Sequence, residues 1–402
     1  MWPARLTRLL GIDYPILASP MAGASTTALA AAVSNAGGLG ALGTARYSVD
    51  EFNKAVADVR RHSNRPFNVN FFCHREPKPD PTRERRLREL LDPYYDELGI
   101  SQPDAITAAP PFGPPMLAAV LAAHPAVVSF HFGLPGAGAV AKLKEAGIVV
   151  IGNATTVAEA QALERGGVDA IVAQGVEAGG HRGTFLGSLA ENGRIGTIAL
   201  VPQVVDAVQV PVIAAGGIAD GRGVAAALAL GAVGAQIGTA FIPTPESGAH
   251  AIVKASVMAA RDDATRVTNT FTGRPARAIS NRFLAEMAAL EAGLPDYPLP
   301  LALTQPLGTA AIQRGSTDFS SMYAGQAAAL ARGLPAAELF ARLVEETEAV
   351  WVGLARAGRP ARPRAPTSAT KLRAQKAARR RTRKPAKKPR VKARSPRTPP
   401  RR

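Results

Sequence analysis

The run Gln174-Gly-Val-Glu-Ala-Gly-Gly-His181 ends an apolar strand, Ala170-Ile-Val-Ala, in a glycine-rich turn that carries one imidazole. Gly179 and Gly180 permit backbone torsions and a close ligand approach that a β-carbon would block, and histidine exchanges protons near neutral pH. Such a turn offers proton transfer or hydrogen bonding to a small bound molecule. Two further strand ends offer something different. Gly216-Gly217 and Gln236-Ile237-Gly238-Thr239 each follow an apolar strand and precede a helical or loop segment, an arrangement in which backbone amides hold a phosphate without any lysine.

These turns need strands to position them. Apolar strand candidates run over Pro15 to Ala18, Leu39 to Leu42, Phe67 to Phe72, Val127 to Phe132, Ile148 to Ile151, Ala170 to Ala173, Val212 to Ala215 and Ala235 to Gly238, alternating with alanine-rich helical stretches. Helix boundary signals lie between them, such as Asn153-Ala-Thr-Thr before Val157 and Gly166-Gly167 after Glu164. Eight β-then-α units predict an α/β fold, a (β/α)8 TIM-type barrel, whose strand ends converge on one face. That face collects Met21, Ala22, Asn70, His131, Asn153, Gln174 to His181, Gly216, Gly217 and Gln236 to Thr239. The last two strand ends lie where such barrels hold a phosphate. The amides of Asn70 and Gln174 can read the edge of a heteroaromatic ring, and the Met21 backbone can lie against its face. Flavin mononucleotide (FMN) meets both requirements. His131 alternates with Phe130 and Phe132, so it points to the barrel interior or mouth if they point outward.

Two stretches depart from the repeat. Residues Arg75 to Ala105 form a charged excursion after the third strand, and residues 242–317 are expected to build a lid or small second domain over the barrel mouth. The chain then returns to helix over Met322 to Arg332 and Ala336 to Leu354, closing a barrel domain over 1–355. From Arg356 to Arg402 there are 20 Lys and Arg and no acid, which leaves 28 basic against 31 acidic residues before it. The overall charge of +17 thus belongs to a Lys/Arg/Pro-rich tail over 356–402, expected to be disordered and able to attract nucleic acid or another polyanion non-specifically. The single cysteine excludes an intramolecular disulfide, and Cys73-His74 has no partners at metal-ligand spacing. The uncharged stretch from Tyr14 to Ala45 is broken by Pro15, Pro20 and Gly37-Gly38, so it reads as a buried βαβ unit rather than a transmembrane segment. With no signal-peptide pattern at the N-terminus, a cytoplasmic location is expected.

Over about Ile12 to Val352 the chain resembles the nitronate monooxygenase family, formerly called 2-nitropropane dioxygenases. The resemblance rests on Pro20-Met-Ala-Gly23, Asn68-Val-Asn70, Ser129-Phe-His-Phe-Gly133, Gln174 to Arg182, Ala215-Gly-Gly-Ile-Ala-Asp-Gly-Arg222, Gln236 to Thr239 and Ser320-Ser-Met-Tyr-Ala-Gly-Gln326. It implies an FMN enzyme on a (β/α)8 barrel, with flavin contacts from Met21, Asn70, Gln174, Gly179, Gly217 and the Gln236 to Thr239 turn. His181 would be the catalytic histidine, with Tyr323 and Gln326 closing the pocket from the opposite side. An alkyl nitronate, such as propionate 3-nitronate, would give an electron to the flavin, and O2 would complete its conversion to a carbonyl compound and nitrite. No nicotinamide is required. His181 would either take the α-proton of a neutral nitroalkane or, as imidazolium or N–H donor, hold the nitronate oxygens, the second being the expectation for nitronate. Two other readings remain: an NAD(P)H-dependent enoyl reductase of similar fold and flavin, and a DNA-associated protein acting through the tail. Monomer and homodimer stay open.

Overall fold

The structure is a computed structural model that describes residues 2–187 and 194–357. Its strands are β1 (Ile16–Ala18), β2 (Gly40–Gly43), β3 (Phe67–Phe72), β4 (Val127–His131), β5 (Val149–Ala154), β6 (Ala170–Gln174), β7 (Gly180–His181), β8 (Val212–Ala215), β9 (Gly234–Ile237), β10 (Thr265–Thr268) and β11 (Ala276–Ile279). Eight of them form one parallel sheet in the order β1-β9-β8-β6-β5-β4-β3-β2. A parallel bridge between Leu17 and Leu39 closes it, with the Ala18 amide donating to the Leu39 carbonyl at 2.9 Å. All eight expected strands are present, and the (β/α)8 barrel is the fold.

Parallel strands covered on both faces must be apolar on both faces, which is why these segments show little alternation. One set of side chains, including Leu17, Leu39, Val127, Ile151, Val172 and Ile213, fills the barrel interior together with Leu6 and Leu10 of the N-terminal helix Ala4–Leu10. The other set, including Ile16, Leu42, Val69, Val128, Val150 and Ile171, packs outward against the helices. The polar strand residues Asn70, Asn153 and Gln174 lie toward the carboxyl ends of their strands, past the apolar plug.

The two excursions are one structure. Helix Pro81–Glu97 after β3 and helix Leu301–Gln313 in the expected lid share a second core, in which Leu87, Leu91 and Tyr95 meet Phe283, Leu303 and Leu307. The Tyr95 hydroxyl donates to the Leu303 carbonyl at 2.6 Å. The lid also carries an antiparallel sheet, β10-β11-β7, whose third strand is the His181 turn itself.

One expected helix is absent. Residues 322–332 form a bridge between Tyr323 and Ala278, then a single turn at Ala328–Leu330. The Ile279 amide donates to the Met322 carbonyl at 2.8 Å, so the edge of the lid sheet claims a backbone that helix would otherwise use. The following helix runs over Ala336–Ala357. Residues up to Val352 belong to one compact unit. The tail expectation falls mostly on 358–402, outside the described residues. Among the described residues no helix is long and apolar enough to cross a membrane.

Candidate active site

A cavity of about 450 Å³ opens at the carboxyl ends of the barrel strands. Of the residues singled out in the sequence, Met21, Ala22, Asn70, His131, Gln174, Gly179, Gly180, His181, Gly216, Gly217, Gln236, Gly238, Thr239 and Tyr323 line it. Two do not. Ile237 is fully buried in the barrel core, and Gln326 is exposed, joined to the site only by its amide donating to the Glu177 carbonyl.

The His181 turn is fixed from two sides. On the barrel side, the Gln174 amide nitrogen donates to the His181 carbonyl at 3.0 Å and its oxygen accepts from the Gly183 amide at 2.8 Å. The buried Arg182 guanidinium donates to the carbonyls of Gly175 and Gln174 at 2.6 and 2.9 Å. On the lid side, His181 pairs with Ala276 of β11, and Arg277 donates to the Val176 carbonyl at 2.9 Å. Gln174, expected to read a ring edge, thus spends both ends of its amide on the turn. Gly179 is required by packing: a β-carbon there would stand 2.6 Å from the backbone of Ala324 and Gly325. That neighbouring segment is tied in turn to Thr239, whose hydroxyl accepts from the Gly325 amide at 2.9 Å.

His181 sits in an aromatic box. The rings of Tyr297 and Tyr323 lie 5.4 Å from it, Phe132 5.9 Å and Phe72 6.4 Å. Burial, reinforced by His131, Arg274 and Arg46, pushes its pKa down to about 3. His131 is pushed down to about 3 as well, chiefly by burial, although its Nε2–H donates to the His181 carbonyl at 3.2 Å. Of the two expected forms, imidazolium or N–H donor, the enclosed site with two guanidiniums nearby favours the neutral N–H donor. Its Nε2 lies 2.9 Å from the Thr272 hydroxyl. A hydroxyl both donates and accepts. The Thr272 hydroxyl donates to the Arg274 carbonyl at 3.4 Å, and while it does so it accepts from Nε2–H and Nδ1 carries the free lone pair; when Thr272 turns its proton to Nε2, Nδ1 carries the proton.

Phe130 packs outward in the core as expected, while Phe132 does not. Its φ of 68° breaks the strand alternation and returns the ring to the lid, where the Arg274 guanidinium lies over it at 3.8 Å. Arg46, Thr272 and Tyr297 line the cavity although nothing in the sequence had marked them. They come from the β2 turn and from lid loops, where no periodicity constrains the reading. Arg46 is the only charged side chain lining the cavity among the described residues, and its guanidinium donates to Gln305 at 3.0 Å. Asp220 caps a helix start, accepting from the amides of Arg222 and Gly223, and pairs with the Arg222 guanidinium. Among the described residues no cluster can hold a metal, and Cys73-His74 is no exception.

The profile of the family described as nitronate monooxygenase matches residues 4–346. The chain belongs to the nitronate monooxygenase family. It is 47% identical to the nitronate monooxygenase of Pseudomonas aeruginosa PAO1 over 346 residues, covering 85% of this chain and 98% of that one. A nitroalkane oxidase structure from Streptomyces ansochromogenes superposes with a TM-score of 0.81 at 40% identity, covering 87% of this chain and 99% of that chain. FabK from Thermotoga maritima superposes less well, with a TM-score of 0.68 at 31% identity, covering 88% and 98%. Nitronate monooxygenases are flavin-dependent oxidoreductases, and the cavity suits such a group. Gly216 and Gly217 hold φ values of 110° and 70°, which place bare backbone at the cavity wall. Asn153 and Tyr323 also line the cavity, and the Asn153 amide nitrogen and the Tyr323 hydroxyl are buried beneath its surface without a hydrogen-bond partner among the described residues.

Proposed function

We propose that the cavity binds FMN and oxidises alkyl nitronates with O2 to carbonyl compounds and nitrite. The observation that carries this reading is that, among the described residues, the Arg46 cation is the only charge lining the cavity and no carboxylate lines it. A positive field with no lining carboxylate attracts an anion, and a nitronate is already deprotonated. An imidazole held near 3 is a weak base, far from the pKa that general base catalysis at neutral pH requires. Abstraction of the α-proton from a neutral nitroalkane is accordingly the slower route.

When bound, the flavin supplies the electron acceptor for the nitronate. The protein's own groups do the rest. The Gly216-Gly217 and Gly238-Thr239 turns would hold the phosphate, and Met21, Asn70 and Asn153 would flank the ring system. Neutral His181, with its proton on Nδ1 and Thr272 donating to Nε2, would hydrogen-bond a nitronate oxygen; with the proton on Nε2 it would serve a nitroalkane as base. Phe72, Tyr297 and Tyr323 would keep water from the reacting carbon. The enoyl-reductase alternative differs in its reductant, since it needs NAD(P)H. Oxygen uptake and nitrite release with ethyl nitronate and with nitroethane, at equal concentration and without nicotinamide, test the proposal. Rapid turnover of the nitronate and slow turnover of the nitroalkane is expected; turnover only with NADH would overturn it.

A further inference from the structure

A second cavity, of about 670 Å³, lies beside the first, and Arg46, Phe72, Tyr297, Leu301 and Gln305 line both, forming a neck between them. The second cavity is a polar vestibule. Ser101, Thr107, Thr309 and Gln313 line it and are exposed, so it meets water through neutral hydrogen-bonding groups. Among the described residues Arg46 is the only charged side chain lining either cavity, and it stands where the two meet.

The backbone around Arg46 is fixed on both sides. After β2, the buried Thr44 donates its hydroxyl to the Asn70 carbonyl of β3 at 2.8 Å, and the Tyr47 amide donates to the Thr44 carbonyl at 3.0 Å, closing a turn. Ser48 then starts helix Val49–His62 in a capping box with Glu51. From this turn the Arg46 guanidinium crosses the neck and donates to the Gln305 side-chain oxygen at 3.0 Å. Gln305, Thr309 and Gln313 follow one another at four-residue spacing on helix Leu301–Gln313, so they share the face that walls the vestibule. A neutral amide leaves the charge uncompensated. Arg65, Arg282 and Arg332 pair with Asp13, Glu97 and Glu346, whereas Arg46 has no carboxylate partner among the described residues. Burial dominates the pKa values of His181, Tyr297 and Tyr323, lowering the first and raising the other two, and the Arg46 charge acts on all three. Its field thus extends from the neck into the active cavity.

We propose that Arg46 is a specificity-determining residue, which from the neck draws the ionised nitronate out of the vestibule and discriminates against the neutral nitroalkane of the same carbon skeleton. The two forms differ by one proton, so charge is the largest difference the protein can read. A cleft lined by charge of one sign concentrates the opposite ion, and the gain falls as salt screens it. The hydrogen bond to Gln305 holds the guanidinium over the neck without neutralising it. The assignment rests on nitronate oxidation in the active cavity, and it names the residue that chooses between the two forms of the substrate.

The test is steady-state oxygen uptake by the flavin-loaded full-length enzyme with ethyl nitronate and with nitroethane, across a titration of sodium chloride. Wild type is expected to prefer the nitronate, with a kcat/KM for it that falls as salt rises. Arg46→Gln should lower the nitronate-to-nitroalkane ratio of kcat/KM about tenfold or more, chiefly through the nitronate KM, and should flatten the salt response. The basic tail is common to every variant, so the difference between them reports Arg46 alone. Arg46→Lys and Gln305→Leu separate the charge from the bridge. Both keep a cation at the neck, and both should keep most of the ratio and of the salt response. An Arg46→Gln enzyme with the wild-type ratio and salt response overturns the proposal. So does a loss in Arg46→Lys or Gln305→Leu as large as that in Arg46→Gln, which would make Arg46 a structural brace. Those outcomes leave ethyl nitronate oxidation standing, whereas a wild-type enzyme that oxidises no nitronate at all fails the functional reading itself.

Discussion

The barrel and the lid reach the same imidazole by different means. In the barrel, Asn70, Asn153 and Gln174 take their positions from parallel ladders whose register is fixed by apolar side chains on both faces. In the lid, Thr272, Arg274 and Tyr297 sit on loops held by side-chain contacts, such as Glu291 accepting from the Thr270 hydroxyl at 3.0 Å and Arg274 donating to the Thr184 carbonyl. The barrel thus supplies a fixed floor and the lid supplies the partners that tune His181. What joins them is the Gln174 to His181 turn, which leaves the barrel as β6 and enters the lid as β7.

The largest effect is expected where the two regions touch most closely. Gly179→Val drives atoms into the Ala324-Gly325 backbone, already 2.6 Å from a bare β-carbon. Flavin absorbance after gel filtration and nitrite release should both disappear; a variant that retains both would show that lid and barrel are not registered there. His181→Ala leaves that contact intact and removes the group both regions serve. Nitrite release from ethyl nitronate should fall about 10²- to 10³-fold, as for the loss of one preorganised hydrogen-bond donor, with flavin content unchanged. On the lid side alone, Thr272→Val takes away the hydroxyl that sets the His181 tautomer, and kcat/KM should drop about five- to tenfold for one lost hydrogen bond. Stopped-flow traces that match wild type would place the control of His181 in the barrel instead.

The last expectation concerns stability against pH. His74, His131 and His181 have folded pKa values pushed down to about 4, 3 and 3, below the ordinary 6.5. Between those values and 6.5 the unfolded chain binds more protons than the folded one, so stability rises with pH through that window and is lost as pH falls through it. The urea midpoint should fall steadily from about pH 6.5 toward pH 4. A flat profile there would mean that the histidines are not buried in their neutral form.

The same contrast governs what the sequence discloses. Barrel strands, even the three- and four-residue β1, β2, β8 and β9, are largely apolar runs between glycine and proline punctuation, so all eight are legible, and with them the strand-end residues that line the cavity. His181 and its glycines carry a local signature as the end of one such run. The lid strands β10 and β11 are no shorter but interleave Thr and Arg with their apolar residues, and β7 is only two residues long, so none of them stands out as an apolar run. The sequence predicts helix over residues 322–332, yet the lid sheet edge takes the backbone at Met322 and Tyr323, a tertiary contact no local pattern encodes. Arg46 and Thr272 lay in turns with nothing to distinguish them. The protonation of His181 depends on an aromatic box assembled from β3, the end of β4 and two lid segments, and its sum is visible only in three dimensions.

The central claim is that a nitronate alone reduces the flavin this enzyme binds. Anaerobic mixing of the flavin-loaded enzyme with ethyl nitronate, and separately with NADH, tests it directly. Loss of the oxidised flavin absorbance with ethyl nitronate and none with NADH is the predicted result; bleaching by NADH with an unchanged spectrum in ethyl nitronate would contradict the account.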